Sequence, residues 1–112
     1  MRDDTVYLRH ILDAIARTET YIDGFDKVSF RADLLVQDGV IRQIEIIGEA
    51  TKRLSRDVRK ANRHVPWDDI AGMRDKLIHD YVGVDINTVW LTAVNDLPAL
   101  KVEVEKILAA MQ

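Results

Sequence analysis

Residues 41–55 read IRQIEIIGEATKRLS, and this stretch decides the class of the fold. Val40, Ile41, Ile44, Ile47 and Leu54 recur at the spacing that lines one face of an α-helix, with polar and charged residues between them. Working backwards, Leu34 and Asp33 continue the pattern and Ser29 supplies a side chain able to cap it. The spacing therefore predicts one long helix from Ser29 to Leu54 with a basic final turn. Gly39 and Gly48 fall inside it. Each glycine costs a helix roughly 1 kcal/mol against alanine, so the pair predicts a kink or the close approach of a neighbouring backbone.

The flanking segments repeat this periodicity. Upstream, Leu8, Ile11, Leu12, Ile15 and Ile22 form a helical stripe that Asp3 or Asp4 can cap and Gly24 ends. Downstream, Pro66 opens a helix expected over 66–81, because its missing N–H costs nothing in the first turn. Asp68 and Asp69 add negative charge there, which suits a helix N-terminus better than a metal. Ile70, Met73 and Leu77 are the apolar stripe of that helix and Gly83 comes after it. Asp85 or Asn87 then caps a last helix through Val89, Trp90, Ala93, Val94 and Leu97. Pro98 must kink or restart it before Val102, Val104, Ile107 and Leu108. No strand pattern or repeat interrupts the series. The expectation is an all-α protein, an antiparallel bundle of four main helices with the last broken at Pro98.

At 112 residues the chain suits one hydrophobic core, so residues 1–112 are expected to form a single domain. Hydrophobic residues make up 47% and charged residues 31%, a balance that argues against disorder. With no cysteine, disulfides, thiolate nucleophiles and cysteine-type zinc sites are excluded. The charged start and the lack of a long apolar run predict a soluble, cytoplasmic protein. The net charge of −3 hides an asymmetry. Lys52, Arg53, Arg56, Arg59, Lys60 and Arg63 face a single acid, Asp57, giving that stretch +5 and leaving the remainder of the chain at −8. Such a stretch can present a phosphate-binding surface or simply a solvated helix end.

The chemistry-bearing cluster is MRDKLIHDYVG, residues 73–83. Arg74 offers a planar pair of donors to a phosphate, and His79 can exchange a proton near neutral pH. Asp75 precedes His79 by four residues, where it could orient the ring and favour its charged form. Helical geometry sets Arg74 and His79 roughly 140° apart around the axis, so one helix does not build a compact site by itself. Either the arginine stem curls back, or the helix distorts before Gly83, or a second copy of the chain completes the site across a symmetric interface, the last being favoured. Arg74, Ile78 and Tyr81 share a face suited to such a contact. The structural alternative pairs Asp75 with His79 on the surface, puts Arg74 in a salt bridge and Tyr81 in the core. His10 and His64 read as surface residues, and Trp67 and Trp90 as core or interface anchors. Neither a glycine-rich phosphate loop nor a nucleophile elbow occurs, and no metal or cofactor is assigned.

Arg74-Asp-Lys-Leu-Ile-His79-Asp-Tyr81 matches R-x4-H-x-Y, and in this the sequence resembles the HepT-like toxins of the HEPN-domain class. IRQIEIIGEATKRLS resembles the second long helix of that family, PWDDIAGMRDKLIHDYVGVD its motif helix and NDLPAL its broken last helix, so the likeness spans nearly the whole chain. It implies the toxin of a two-gene toxin–antitoxin system, a dimeric, metal-independent ribonuclease cutting tRNA or mRNA. It implies Arg74 and His79, with Asp75 beside them, as the catalytic set. It also implies Tyr81 as the residue AMPylated by a partner minimal nucleotidyltransferase, the MNT antitoxin. On this reading Lys52, Arg53 and Arg56 guide the RNA backbone. The competing expectation is a noncatalytic helical subunit that docks a nucleotidyltransferase, and behind it a plain dimerisation bundle.

Overall fold

The computed structural model describes residues 3–79 and 85–111, with the side chains of residues 74 and 76–79 outside that description. Helix α1, Asp4–Ile22, begins where the Asp3 carboxylate accepts from the Thr5 N–H. It ends at Gly24, whose φ of +80° is a left-handed turn that costs glycine nothing. The expected single helix from Ser29 to Leu54 is in fact two: α2, Lys27–Arg31, and α3, Leu34–Arg53. Ser29 is not the cap of the long helix. It sits inside α2 and answers Asp26 in a reciprocal cap, each side chain accepting from the other's backbone N–H at 2.8–2.9 Å. Asp33 then caps α3 through the Val36 N–H. Buried Gln37 reaches back to the carbonyls of Phe30 and Arg31 at 2.8 and 3.0 Å, so the end of α2 keeps its hydrogen bonds while the chain turns.

The basic stretch holds a helix that the periodicity does not predict, α4, Arg56–Ala61, which Ser55 caps through the Val58 N–H. Helix α5 comes next at Trp67–His79, then α6 at Ile86–Leu91, with Asp85 as its cap. The end of the expected 66–81 helix, including Tyr81, lies outside the described residues. Helix α6 gives way just before Pro98, where the last helix is expected to break. It passes through a π-helical turn, Thr92–Asp96, into α7, Leu97–Ala110, and the Leu97 N–H bonds the Thr92 carbonyl five residues back. The wider turn relieves the clash that a proline makes with the carbonyl four residues before it. It also corrects the register. Val89, Ala93 and Leu97 are all buried at four-residue spacing, which would drift off one face of a regular helix; the extra residue in the π turn brings them back into line.

Pairing across the helices fixes their directions. Asp4 at the start of α1 meets Ser55 beyond the end of α3, and Tyr21 near the end of α1 lies over Gly39 in the first half of α3. The two helices are therefore antiparallel. Lys101, early in α7, reaches Glu19, late in α1, so that pair is antiparallel as well. Leu8, Ile11 and Ile15 of α1, Ile47 of α3 with Leu54 just beyond its end, Trp67 and Ile70 of α5 and Leu97, Leu100 and Val104 of α7 form the larger core. Phe30, Val40, Ile44, Val89 and Ala93 form a second, against which Trp90 packs with its ring 5.1 Å from that of Phe30. Burying each large aliphatic side chain contributes roughly 1.5–3 kcal/mol, so these two clusters dominate the stability of the bundle. The protein is all-α among the described residues, and none of its helices is long and apolar enough to cross a membrane.

Candidate functional site

Helix α5 carries the motif. Its N-terminal end is anchored by Trp67, 5% exposed, whose indole N–H donates to the Asn62 carbonyl at 3.0 Å. Asn62 in turn donates from its amide to Val58 in α4, so α4, the connecting turn and α5 are tied together. Ile70 then buries against the larger core and Met73 packs between both clusters, which sets the rotation of the helix. Arg74 and His79 both belong to α5, five residues apart, and this keeps the wide angular separation expected from the sequence. Their side chains, and Tyr81 altogether, lie outside the described residues.

Asp75 is described, and its surroundings differ from expectation. Lys52, in the last turn of α3, donates to both of its carboxylate oxygens at 3.1 Å. The carboxylate expected to serve His79 is thus engaged across the helix interface by a cation expected to serve RNA. Among the described residues, no one groove collects the trio Lys52, Arg53 and Arg56. Arg53 pairs with Glu49 one turn back and borders a cleft of about 450 Å³ between α1 and α3, with Tyr7, His10, Arg42 and Glu45. Arg56 opens onto another, an exposed groove of about 790 Å³. There it joins Arg59, Lys60 and Arg63 on one side, with Trp67, Asp68 and Asp69 on the other.

The total charge of the stretch does not disclose this grouping. Positions 56, 59 and 60 follow the i, i+3, i+4 rule, which gathers three cations on one face of α4 once that helix is recognised, and Arg63 joins them in the groove from the turn beyond its end. The Ser-Arg-Asp-Val run after Leu54 is the signal that could have found it, since a serine caps the helix that begins at the next residue. His64 is exposed and bonds Glu103 of α7 at 2.7 Å, a bond that holds the Glu103 carboxyl below the usual carboxylate range, with nearby Lys106 lowering it further.

An all-helical bundle that presents Arg74 and His79 on one helix, at R-x4-H spacing, defines a protein of the HEPN type. The family model for HepT-like ribonucleases matches residues 11–107, and the chain belongs to that family. Among its relatives is a protein of Thermococcus cleftensis named "Probable ribonuclease HepT", 42% identical over 90% of this chain and 92% of its own length. A "Putative RNase" of Methanocaldococcus jannaschii is 40% identical over 99% of this chain and 96% of its own. A third, from the same archaeon, is named "Gamma-glutamylcyclotransferase and putative RNase" and is 43% identical over 96% of this chain, which spans only 48% of that protein. No solved structure matches the chain significantly.

Proposed function

We propose that the chain is the toxin of a two-gene toxin–antitoxin system, a metal-independent endoribonuclease acting in the cytoplasm on tRNA or mRNA. The observation that carries this reading is the R-x4-H-x-Y run of Arg74, His79 and Tyr81 in a member of a ribonuclease family. His79 takes the proton from a ribose 2′-hydroxyl, and the 2′-oxygen attacks the adjacent phosphorus. The bond from phosphorus to the 5′-oxygen breaks, and that oxygen leaves with a proton, giving a 2′,3′-cyclic phosphate and a 5′-hydroxyl. Arg74 stabilises the charge that builds on the non-bridging oxygens. Arg74 and His79 lie far apart around α5, so a second copy of the chain completes the site and the working unit is a dimer.

The partner in this proposal is an MNT-type nucleotidyltransferase antitoxin that transfers AMP to Tyr81. A phosphodiester two residues from His79 places bulk and negative charge where the substrate phosphate must sit, so the modified chain is inhibited. The test is cleavage of RNA by the purified, unmodified protein in EDTA, beside its Arg74→Ala and His79→Ala variants and protein treated with the partner and ATP. Cleavage that survives chelation, vanishes in both variants and stops on AMPylation supports every part of the reading. RNA left intact by the unmodified protein rejects it in favour of a noncatalytic subunit that docks the nucleotidyltransferase.

A further inference from the structure

We infer that the groove between α4 and the start of α5 is a track for the RNA backbone, with Arg56, Arg59, Lys60 and Arg63 as its phosphate-binding residues. The inference rests on the ribonuclease reading for its choice of ligand, and on the groove itself for its location.

Three features single the groove out. First, its cations are uncompensated. Lys52, Arg53, Lys101 and Lys106 each pair with an acid, whereas among the described residues Arg56, Arg59, Lys60 and Arg63 make no ion pair. Asp68 and Asp69 line the opposite side without closing one. Like charges gathered on a concave surface focus the potential and raise the local concentration of an anionic ligand. Second, the Arg59 Nε is buried and, among the described residues, without a hydrogen-bond partner. A buried, unmatched guanidinium nitrogen is costly, and an anion lying along the same side chain offsets part of that cost.

Third, the groove is preorganised. The Asp4 carboxylate accepts from both the Ser55 N–H and its hydroxyl at 2.7 Å, and Ser55 caps α4. The Trp67 and Asn62 hydrogen bonds fix the turn on the other side. Trp67 is 5% exposed with its N–H committed, so it forms the floor and does not stack on bases. The track therefore grips phosphates and carries no base preference of its own. An acidic protein surface would also meet four cations, but the ribonuclease family makes a polyanionic RNA the ligand argued here.

The experiment measures binding of the whole chain to a 2′-O-methylated single-stranded RNA of mixed sequence, by fluorescence anisotropy over a series of salt concentrations. The methylated strand cannot undergo 2′-hydroxyl attack, so binding is read independently of cleavage. Single strands release roughly 0.7 counterion per phosphate contacted, so Lys60→Ala with Arg63→Ala should lower the log–log salt slope by about 1.4 and weaken binding. Arg9→Ala with Arg17→Ala, which removes two exposed cations of α1, should leave the slope unchanged. Circular dichroism of each variant establishes that it is folded. The inference falls if the native chain does not bind the strand, if the groove variant keeps the native slope, or if the α1 control loses as much. It also falls if the groove variant loses an acidic protein partner while binding RNA normally. Should unmodified RNA survive the native protein while the groove variant still loses affinity, the track stands and the ribonuclease reading fails alone.

Discussion

Lys52 of α3 grips both carboxylate oxygens of Asp75, the residue next to Arg74 on α5, at 3.1 Å. This contact ties the long central helix to the helix that carries the motif. The two side chains are 37% and 49% exposed, so solvent screens the pair and its contribution to stability is expected to be below about 1 kcal/mol. Its effect on catalysis should be larger, because a small rotation of α5 misplaces Arg74. We predict that Lys52→Asp lowers RNA cleavage at least several-fold with little change in melting temperature. Adding Asp75→Lys should recover part of the loss. A charge swap that recovers nothing would show that Lys52 acts on the substrate and not on Asp75.

Removing the two motif side chains tests the chemistry directly. His79→Ala and Arg74→Ala are each predicted to reduce the single-turnover rate of RNA cleavage by about 10²–10⁴-fold, the usual size of a general acid–base or charge-stabilising contribution. Affinity for the 2′-O-methylated strand should change far less. A variant that cleaves at the native rate removes its residue from the mechanism.

Gly39 has a cause that a double mutant isolates. A Cβ there would lie 3.2 Å from the ring of Tyr21, tighter than ordinary contact. Gly39→Ala should therefore be less favourable in the native protein than the helix propensity of alanine alone would make it. In a Tyr21→Ala background the same change should stabilise by about 1 kcal/mol, since only the propensity remains. Urea denaturation of the four proteins reads the cycle, and an equal effect in both backgrounds contradicts the contact.

Asp85 makes the stability depend on acid. Its pKa is held below the usual carboxylate range, chiefly by the Thr88 hydroxyl, then by the Asn87 N–H, with a smaller contribution from the Arg31 charge. A group whose folded pKa is depressed contributes stability that is fully present above its unfolded pKa and is lost as pH falls through the folded one. The melting-temperature gap between the native protein and Asp85→Ala should thus be constant near neutrality and narrow on acidification. A gap that widens in acid would invert the sign and exclude this carboxylate as the cause.

Asp4→Ala removes both hydrogen bonds to Ser55. Charge-assisted bonds of this kind are worth about 1.5–3 kcal/mol each, and part of that is regained from water at this partly buried site. A loss of about 1–3 kcal/mol in chemical denaturation is expected, with weaker RNA binding as α4 loosens. Unchanged stability would mean that Ser55 caps α4 without help.

The helices are legible in the sequence where apolar periodicity runs long, as in α1, the body of α3 and α7. They are not legible between residues 23 and 34, where three closely spaced aspartates each offer a cap and the sequence alone does not choose among them. Asp26 and Asp33 both serve, and Ser29, expected to start a helix, closes a cap instead. Helix α4 is hidden because it buries no residue completely, so no apolar stripe announces it. Arg74 and His79 stand out in the sequence through spacing and resemblance alone. The tie between Lys52 and Asp75 joins residues 23 positions apart on different helices, a contact that only packing determines.

The π turn at Thr92–Asp96 leaves the last helix with a spare residue. Removing one residue from α6, or from α7 before Leu100, rotates everything beyond it by about 100° and turns Leu100 and Val104 out of the core. Removing one within the turn only winds it back to ordinary pitch while both buried faces stay in phase. The joint is thus the place in this helix where the gene can lose a codon and keep the fold, and Pro98 is what discourages it, because a regular turn there restores the clash the wider one avoids.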